Sequence, residues 1–413
     1  MDDFLPAYSR TQQPDPAEVV NIVNSTIASA NGELRALSLD IHDHPETAFK
    51  EKHAHDVLTA FVAERGFTVQ KHYLGLDTAW RAEFSYGHGG RVIGINSEMD
   101  ALAGIGHACG HNLIAAGGVA VALALKQALV QTNTAGKVVL LGTPAEEGGG
   151  GKVILLERGG YTDMDVCVMS HPMGGPVEGS VAIGSSSAIQ TIDVEYTGHT
   201  AHAAAAPWEG TNALDAAFIA YSSIAVLRQQ MKPECRVHGR IGGKDWLPNV
   251  IPDNAALTWI VRAPTNEEVT DLMERVRACF DAAALATGCK ISVKYGVPYS
   301  QLVPNPALAL EFVKVANREY KMEAFKAGTS ASTDFGNVSF ELPSLHPNYA
   351  IPTEANGGNH TAAFAKSART MEAHDLAMKV AKALAITAYK VVKDDAFYEE
   401  VKSSFKATKA TRC

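Results

Sequence analysis

"IQTIDVEYTG" (189–198) alternates apolar and polar residues along its length, as a strand does with one face in a core and the other in solvent. The stretches before it follow another pattern. "RVIGIN" (91–96), "KVVLLGT" (137–143) and "DVCVMSH" (165–171) are short apolar strands. An apolar helix, "IAAGGVAVALALKQALV" (114–130), separates the first two, and a short helix, "KVILLERG" (152–159), separates the next. Helices are also expected over 17–39 and 53–65. Strand and helix in alternation imply a sheet with helices on its faces. From 188 onward the order changes to a strand at 189–198, a helix over 212–231, strands near 235–242 and 255–263, a helix over 266–287 and a strand at 290–297. β-α-β-β-α-β is the order of a ferredoxin-like sandwich. Helices and short strands resume from about 305 to 393. The expected fold is α/β, with one discontinuous domain over 1–187 and 301–413 and a smaller domain inserted over 188–300.

The 413 residues suffice for two or three domains. The composition, 46% hydrophobic and 20% charged, is ordinary for a soluble protein. A net charge of −9 without a Lys/Arg cluster argues against nucleic acid as partner. No apolar run is expected to span a membrane, and "MDDFLPAYSR" lacks the basic and apolar segments of a signal peptide. A cytoplasmic protein is expected, with its six scattered cysteines reduced or serving as ligands.

In an open α/β sheet, ligands bind beyond the carboxyl ends of the strands. Polar clusters stand at three such places. "GIGHACGHN" (104–112) carries His107, Cys109 and His111, "PAEE" (144–147) carries Glu146 and Glu147, and His171 ends "DVCVMSH". His360, in "ANGGNHTAAF", is a further loop candidate. Taken singly, each has a bland alternative. A lone cysteine is usually core filler, and adjacent glutamates are usually solvated. Cys109 with helpers is also compatible with a nucleophile. Together, thiolate, imidazoles and carboxylate suit zinc or a similar first-row ion. Five ligands shared by two ions, one of them bridging, would leave room for water, as in a two-metal hydrolase. Glu147 can then bind metal while Glu146 serves as general base and acid. Asp100, in "SEMDAL", can orient His111, although a cap or turn is an equal reading. His107 is left as a loop-shaping residue.

The motifs "MDAL", "GHACGHN", "GTPAEE", "SHP", "GHTAHAAAAP", "NVIPD" and "NHTAAF", in this order over residues 20 to 390, resemble the M20 metallopeptidase/amidohydrolase family. The branch of aminoacylases and auxin-conjugate hydrolases is the most similar, and within it the dipeptidase type with "HACGHN". The resemblance implies that Cys109, His111, Glu147, His171 and His360 hold two divalent ions. Zinc is favoured, with manganese, cobalt and nickel open. It further implies that Glu146 is the acid/base and that the inserted domain is a lid through which the protein dimerises. His202 would reach the substrate carbonyl from that lid, and Asn249 would bind substrate. Arg262 is a candidate partner for a substrate carboxylate, and Thr333 and Asp334 for lining the pocket. Two positions depart from the pattern. Glu98 stands where many relatives have Asp, and Ala103 where they have Pro. Neither is expected to ligate metal.

The expected function is hydrolysis of an amide bond in a small dipeptide or N-acyl amino acid. The alternatives are a biosynthetic amidohydrolase or amide-forming enzyme, a non-catalytic metal-binding relative, and a cysteine-nucleophile amidase.

Overall fold

The computed structural model describes residues 16–175 and 177–410. The N-terminal stretch read for a signal and the terminal Cys413 lie outside these residues.

A six-stranded sheet forms the frame. Its order is β1 (Thr68–Lys71), β2 (Trp80–Tyr86), β4 (Gly136–Thr143), β3 (Arg91–Glu98), β5 (Val166–Val168) and β13 (Ser344–Leu345). The last four are parallel, and β2 and β1 close one edge antiparallel. β3 and β4 are buried on both faces, which explains their continuous apolar runs. The polar residues after β3, β4 and β5 therefore emerge at one end of the sheet.

Helix α3 (His111–Gln131) lies on this sheet, covered by α1 (Pro16–Asp43) and α10 (Met371–Lys393). The expectation that no segment is long enough to span a membrane needs correction: this helix is long and apolar enough by length and composition. Its apolar window is 83% buried inside the protein, because it is packed on all sides. Gly118 lets it approach β3 closely, since a Cβ there would stand 2.2 Å from Ser97 Oγ.

Where α10 meets α1, the buried His374 places Nε2 3.0 Å from Asn31 Oδ1. Burial pushes its pKa from the usual 6.5 down to about 4. Between those values the unfolded chain binds a proton that the folded one refuses, so stability is lost as pH falls through this window. His374→Gln keeps a donor for Asn31 without titrating. Its urea midpoint is expected to fall less than the parent's between pH 6.5 and 4, and an equal fall would exclude His374 as a contributor.

Residues 188–295 build a separate four-stranded antiparallel sheet. Its order is β11 (Lys290–Tyr295), β8 (Ala188–Thr197), β10 (Asn254–Ala263), β9 (Arg236–Gly242). Helices α5 (Ala213–Leu227) and α6 (Asn266–Thr287) cover one face. The chain order is β-α-β-β-α-β. Alternation in β8 and β10 sends Ile192, Val194, Tyr196, Leu257, Trp259 and Val261 into a core shared with Val276 and Phe280. α6 is capped by the Thr265 hydroxyl, which accepts from Glu268 N–H at 3.2 Å.

One element differs from its expectation. "DVCVMSH" is not a single strand. β5 stops at Val168, and His171 opens a separate strand, β6 (His171–Met173), in a small mixed sheet with β14 (Asn348–Ala350), β7 (Val181–Ile183) and β12 (Ala324–Lys326). Pro172 directly after His171 removes one backbone donor there.

Candidate metal centre

Three turns bring the polar residues together at the carboxyl end of the parallel strands. Gly110, at φ 79°, takes a left-handed conformation between Cys109 and His111. A Cβ at Gly110 would stand 2.5 Å from Pro172 Cγ, so the turn also fits against the residue after His171. His111 is the first residue of α3, not part of the preceding loop. After β4, Ala145 adopts φ 59°, which is costly for a residue with a Cβ. Buried Glu51 holds it there, accepting from Ala145 N–H at 2.9 Å and from the Thr78 hydroxyl at 2.7 Å. Tyr299 adds a hydroxyl that donates to the Glu146 carbonyl at 2.8 Å. His360, also left-handed at φ 68°, is tied to the cysteine loop by its N–H on the Ala108 carbonyl at 2.8 Å.

Two donor triads result, and Cys109 belongs to both. Cys109, His111 and His171 form one, and Cys109, Glu147 and His360 the other, with donor atoms within 4.8 Å of one another in each. The imidazoles are prepared for metal. His111 turns Nδ1 to Asp100 at 3.2 Å, and His171 turns Nδ1 to the Pro172 carbonyl at 2.7 Å. In both, Nε2 faces the other donors of its triad. Asp100 also accepts from the Glu147 N–H at 2.9 Å, so one carboxylate ties both triads.

The chemistry of this set fits divalent ions. Among the described residues, buried His111 Nε2 and Glu147 Oε1 have no hydrogen-bond partner, which costs about 1–3 kcal/mol for each such atom. Zinc bonds of about 2.0–2.3 Å imply tetrahedral donor–donor edges of about 3.3–3.8 Å. The Cys109 Sγ–His171 Nε2 and Glu147 Oε1–His360 Nε2 distances are both 3.4 Å. Electrostatics agree. Burial and Glu147 push the Cys109 thiol up, the reverse of what a free nucleophilic cysteine requires. A cation between the triads would reverse that shift. Burial opposes a charged His111, but Glu98 and Asp100 outweigh it and raise its pKa well above the usual value. Burial, then Glu98 and Glu147, drive the Glu146 carboxyl well above the carboxylate range. Its Oε2 lies 3.9 Å from His111 Nε2.

The remaining predicted residues fall elsewhere. His107 is buried and held neutral by burial, with a pKa of about 3. His202 is exposed and turns Nδ1 onto the amides of Ala204 and Ala205 at 3.2 and 3.1 Å. The Asn249 carbonyl accepts from Ala203 N–H at 3.0 Å. Among the described residues neither His202 nor Asn249 makes a hydrogen bond to the triads. Arg262 comes closer: it donates to Ser332 Oγ at 2.8 Å, and its guanidinium, disfavoured by burial, is favoured by the charges of Glu146 and Glu147. Thr333 and Asp334 are both buried. The Thr333 hydroxyl accepts from Phe335 N–H at 3.2 Å. Asp334 is wholly buried and bound to Lys152 Nζ at 2.5 Å. Glu51, Glu98, Lys152 and Tyr299 were not anticipated. For two of them the sequence holds a signal: a lysine within the apolar "KVILL", and carboxylates two apart in "SEMD", which share one side of an extended segment.

Comparison with known proteins adds an independent line. The family model for Peptidase family M20/M25/M40 matches residues 94–382. A mouse (Mus musculus) protein named Xaa-Arg dipeptidase is 42% identical over 396 residues, covering 92% of this chain and 90% of that one. Its human (Homo sapiens) counterpart is 41% identical over 400 residues, with the same shares. Among solved structures, a Bacillus subtilis protein described as a dinuclear metal binding peptidase from M20 family superposes with a TM-score of 0.65 at 20% identity. It covers 92% of this chain, and the alignment takes in 99% of that structure.

Proposed function

This chain belongs to peptidase family M20/M25/M40 and is a hydrolase of amide bonds, and from that premise we infer a two-metal dipeptidase acting on small dipeptides. The sharing of Cys109 by two donor triads is the observation that carries this reading.

Cys109, His111 and His171 would hold one ion, and Cys109, Glu147 and His360 the other, with zinc the best match to thiolate and imidazole. Bound divalent ions supply Lewis acidity and acidify the water they hold. Glu146 takes a proton from the attacking water and later delivers it to the leaving amine. Its buried position beside His111 suits that task. Asp100 keeps His111 in the tautomer that presents Nε2. Arg262 stands near the two glutamates and is suited to receive the substrate carboxylate in a fork of N–H donors.

The smaller sheet would act as a lid, with His202 supplying an oxyanion donor from a partner subunit. Exposed Phe218, Tyr221 and Val226 on α5 support a lid-to-lid dimer. The names of the mammalian relatives support dipeptides with a carboxyl-terminal arginine, Xaa-Arg, as substrates. A panel of dipeptides and N-acyl amino acids, assayed before and after chelation, tests this. Turnover of basic dipeptides is expected, lost with the metal and restored by zinc, manganese or cobalt. Full turnover by protein shown to be metal-free would overturn the reading.

A further inference from the structure

A second set of buried charges adjoins His111 and plays no part in the two triads. Glu98, the last residue of β3, has no exposed surface. Its Oε1 lies 2.6 Å from Lys152 Nζ, and Lys152 is equally buried. Lys152, in turn, is held twice by Asp334. Its Nζ is 2.5 Å from Oδ1, and its backbone N–H donates to Oδ2 at 2.9 Å. Neither Glu98 oxygen makes a hydrogen bond among the described residues; Oε1 is ion-paired with Lys152, and Oε2 faces His111 Nε2 at 3.4 Å.

Two physical arguments favour a ligand role over a structural one. Two carboxylates and one ammonium leave an excess negative charge in a dry interior, beside the further carboxylate of Glu147. An uncompensated buried charge is expensive, and a cation at His111 would offset it. A purely structural triad would also use both oxygens of Glu98, whereas here one is withheld and aimed at the nitrogen that Asp100 leaves free on His111. The 3.4 Å separation equals the edge of a tetrahedron built on bonds of about 2.1 Å. Glu98, His111 and Glu146 themselves form a third group of donors within 4.8 Å of one another.

Resting on the two-ion reading above, we propose that Glu98 ligates the ion at His111 through Oε2 alone. Lys152, pinned by Asp334, is the positioning residue that occupies Oε1 and keeps the carboxylate monodentate.

The full-length protein, loaded with zinc, is titrated against a chromophoric chelator, and its metal content is read by elemental mass spectrometry. Glu98→Gln is expected to weaken one of the two ions at least about tenfold and leave the other unchanged. The visible spectrum of the cobalt-loaded protein should change with it. Two ions of unaltered affinity and an identical cobalt spectrum would overturn the proposal. Parent protein that binds no ion at all would instead overturn the two-ion reading, so the two failures are distinguishable. For the positioning role, Lys152→Met combined with Asp334→Asn removes the clamp without leaving an extra charge. The same ion should weaken and the cobalt spectrum shift, and an unchanged spectrum and affinity would reject that role. A crystal of the parent protein soaked in zinc decides the ligand without any substitution. A Glu98 oxygen within about 2.0–2.2 Å of an ion supports it. A carboxylate lying beyond about 3 Å from both ions, too far for a zinc–oxygen bond, overturns it.

Discussion

Replacing Glu146 by glutamine is expected to lower kcat about a hundred- to ten-thousandfold while both ions stay bound. The expectation rests on how the loop is built. Ala145 is held left-handed, with Glu51 anchoring its N–H and Tyr299 anchoring the carbonyl of Glu146. The backbone at position 146 is thus fixed by groups other than its own side chain. Glutamine has nearly the same shape and leaves those anchors intact, but it cannot accept a proton and return it. Substrate affinity has little reason to change, so KM should move far less than kcat. Metal content, read by elemental mass spectrometry, separates this role from ligation. Loss of an ion in Glu146→Gln would make Glu146 a ligand, and undiminished kcat would remove it from proton transfer.

The legible part of this protein is the part that a local period encodes. Strands buried on both faces, such as β3 and β4, announce themselves as apolar runs, and β8 as an alternation. The shift between those two patterns marks where the smaller sheet begins. The donor types were legible for a related reason: cysteine, histidine and paired glutamates just past apolar strands are rare enough to stand out. What the sequence does not encode locally is three-dimensional pairing. Glu98 looks like a strand end, Lys152 like the solvated residue of a short helix and Asp334 like a loop carboxylate, and only the packing of β3, α4 (Gly151–Glu157) and the segment before α8 (Phe335–Glu341) makes them one buried network. β1 is short and largely exposed and β2 shows no regular alternation of burial, so neither carries a clear period. The separation of His171 from β5 depends on a change of sheet that no window of seven residues reveals.

Cys109→Ala is expected to strip both ions from the protein. Each triad has two donors besides the thiol: His111 and His171 in one, Glu147 and His360 in the other. Removing an ordinary ligand would weaken one site, whereas removing a shared ligand weakens both. Changes outside the coordination sphere already cost about 10–100-fold in metal affinity, so loss of the bridging atom itself should exceed that for each ion. The cavity left behind is small and the variant should fold, since Cys109 contributes one sulfur to a loop shaped by Gly110 and by the His360–Ala108 hydrogen bond. Thermal unfolding gives a readout independent of turnover. Added zinc should raise the parent's Tm through binding to the native state and shift the variant's far less. A cysteine-nucleophile amidase makes the opposite forecast: the variant keeps its metal response, chelators spare the parent's activity, and an acyl group on Cys109 can be trapped. Two tightly bound ions in Cys109→Ala would leave the shared-thiolate centre without its central member.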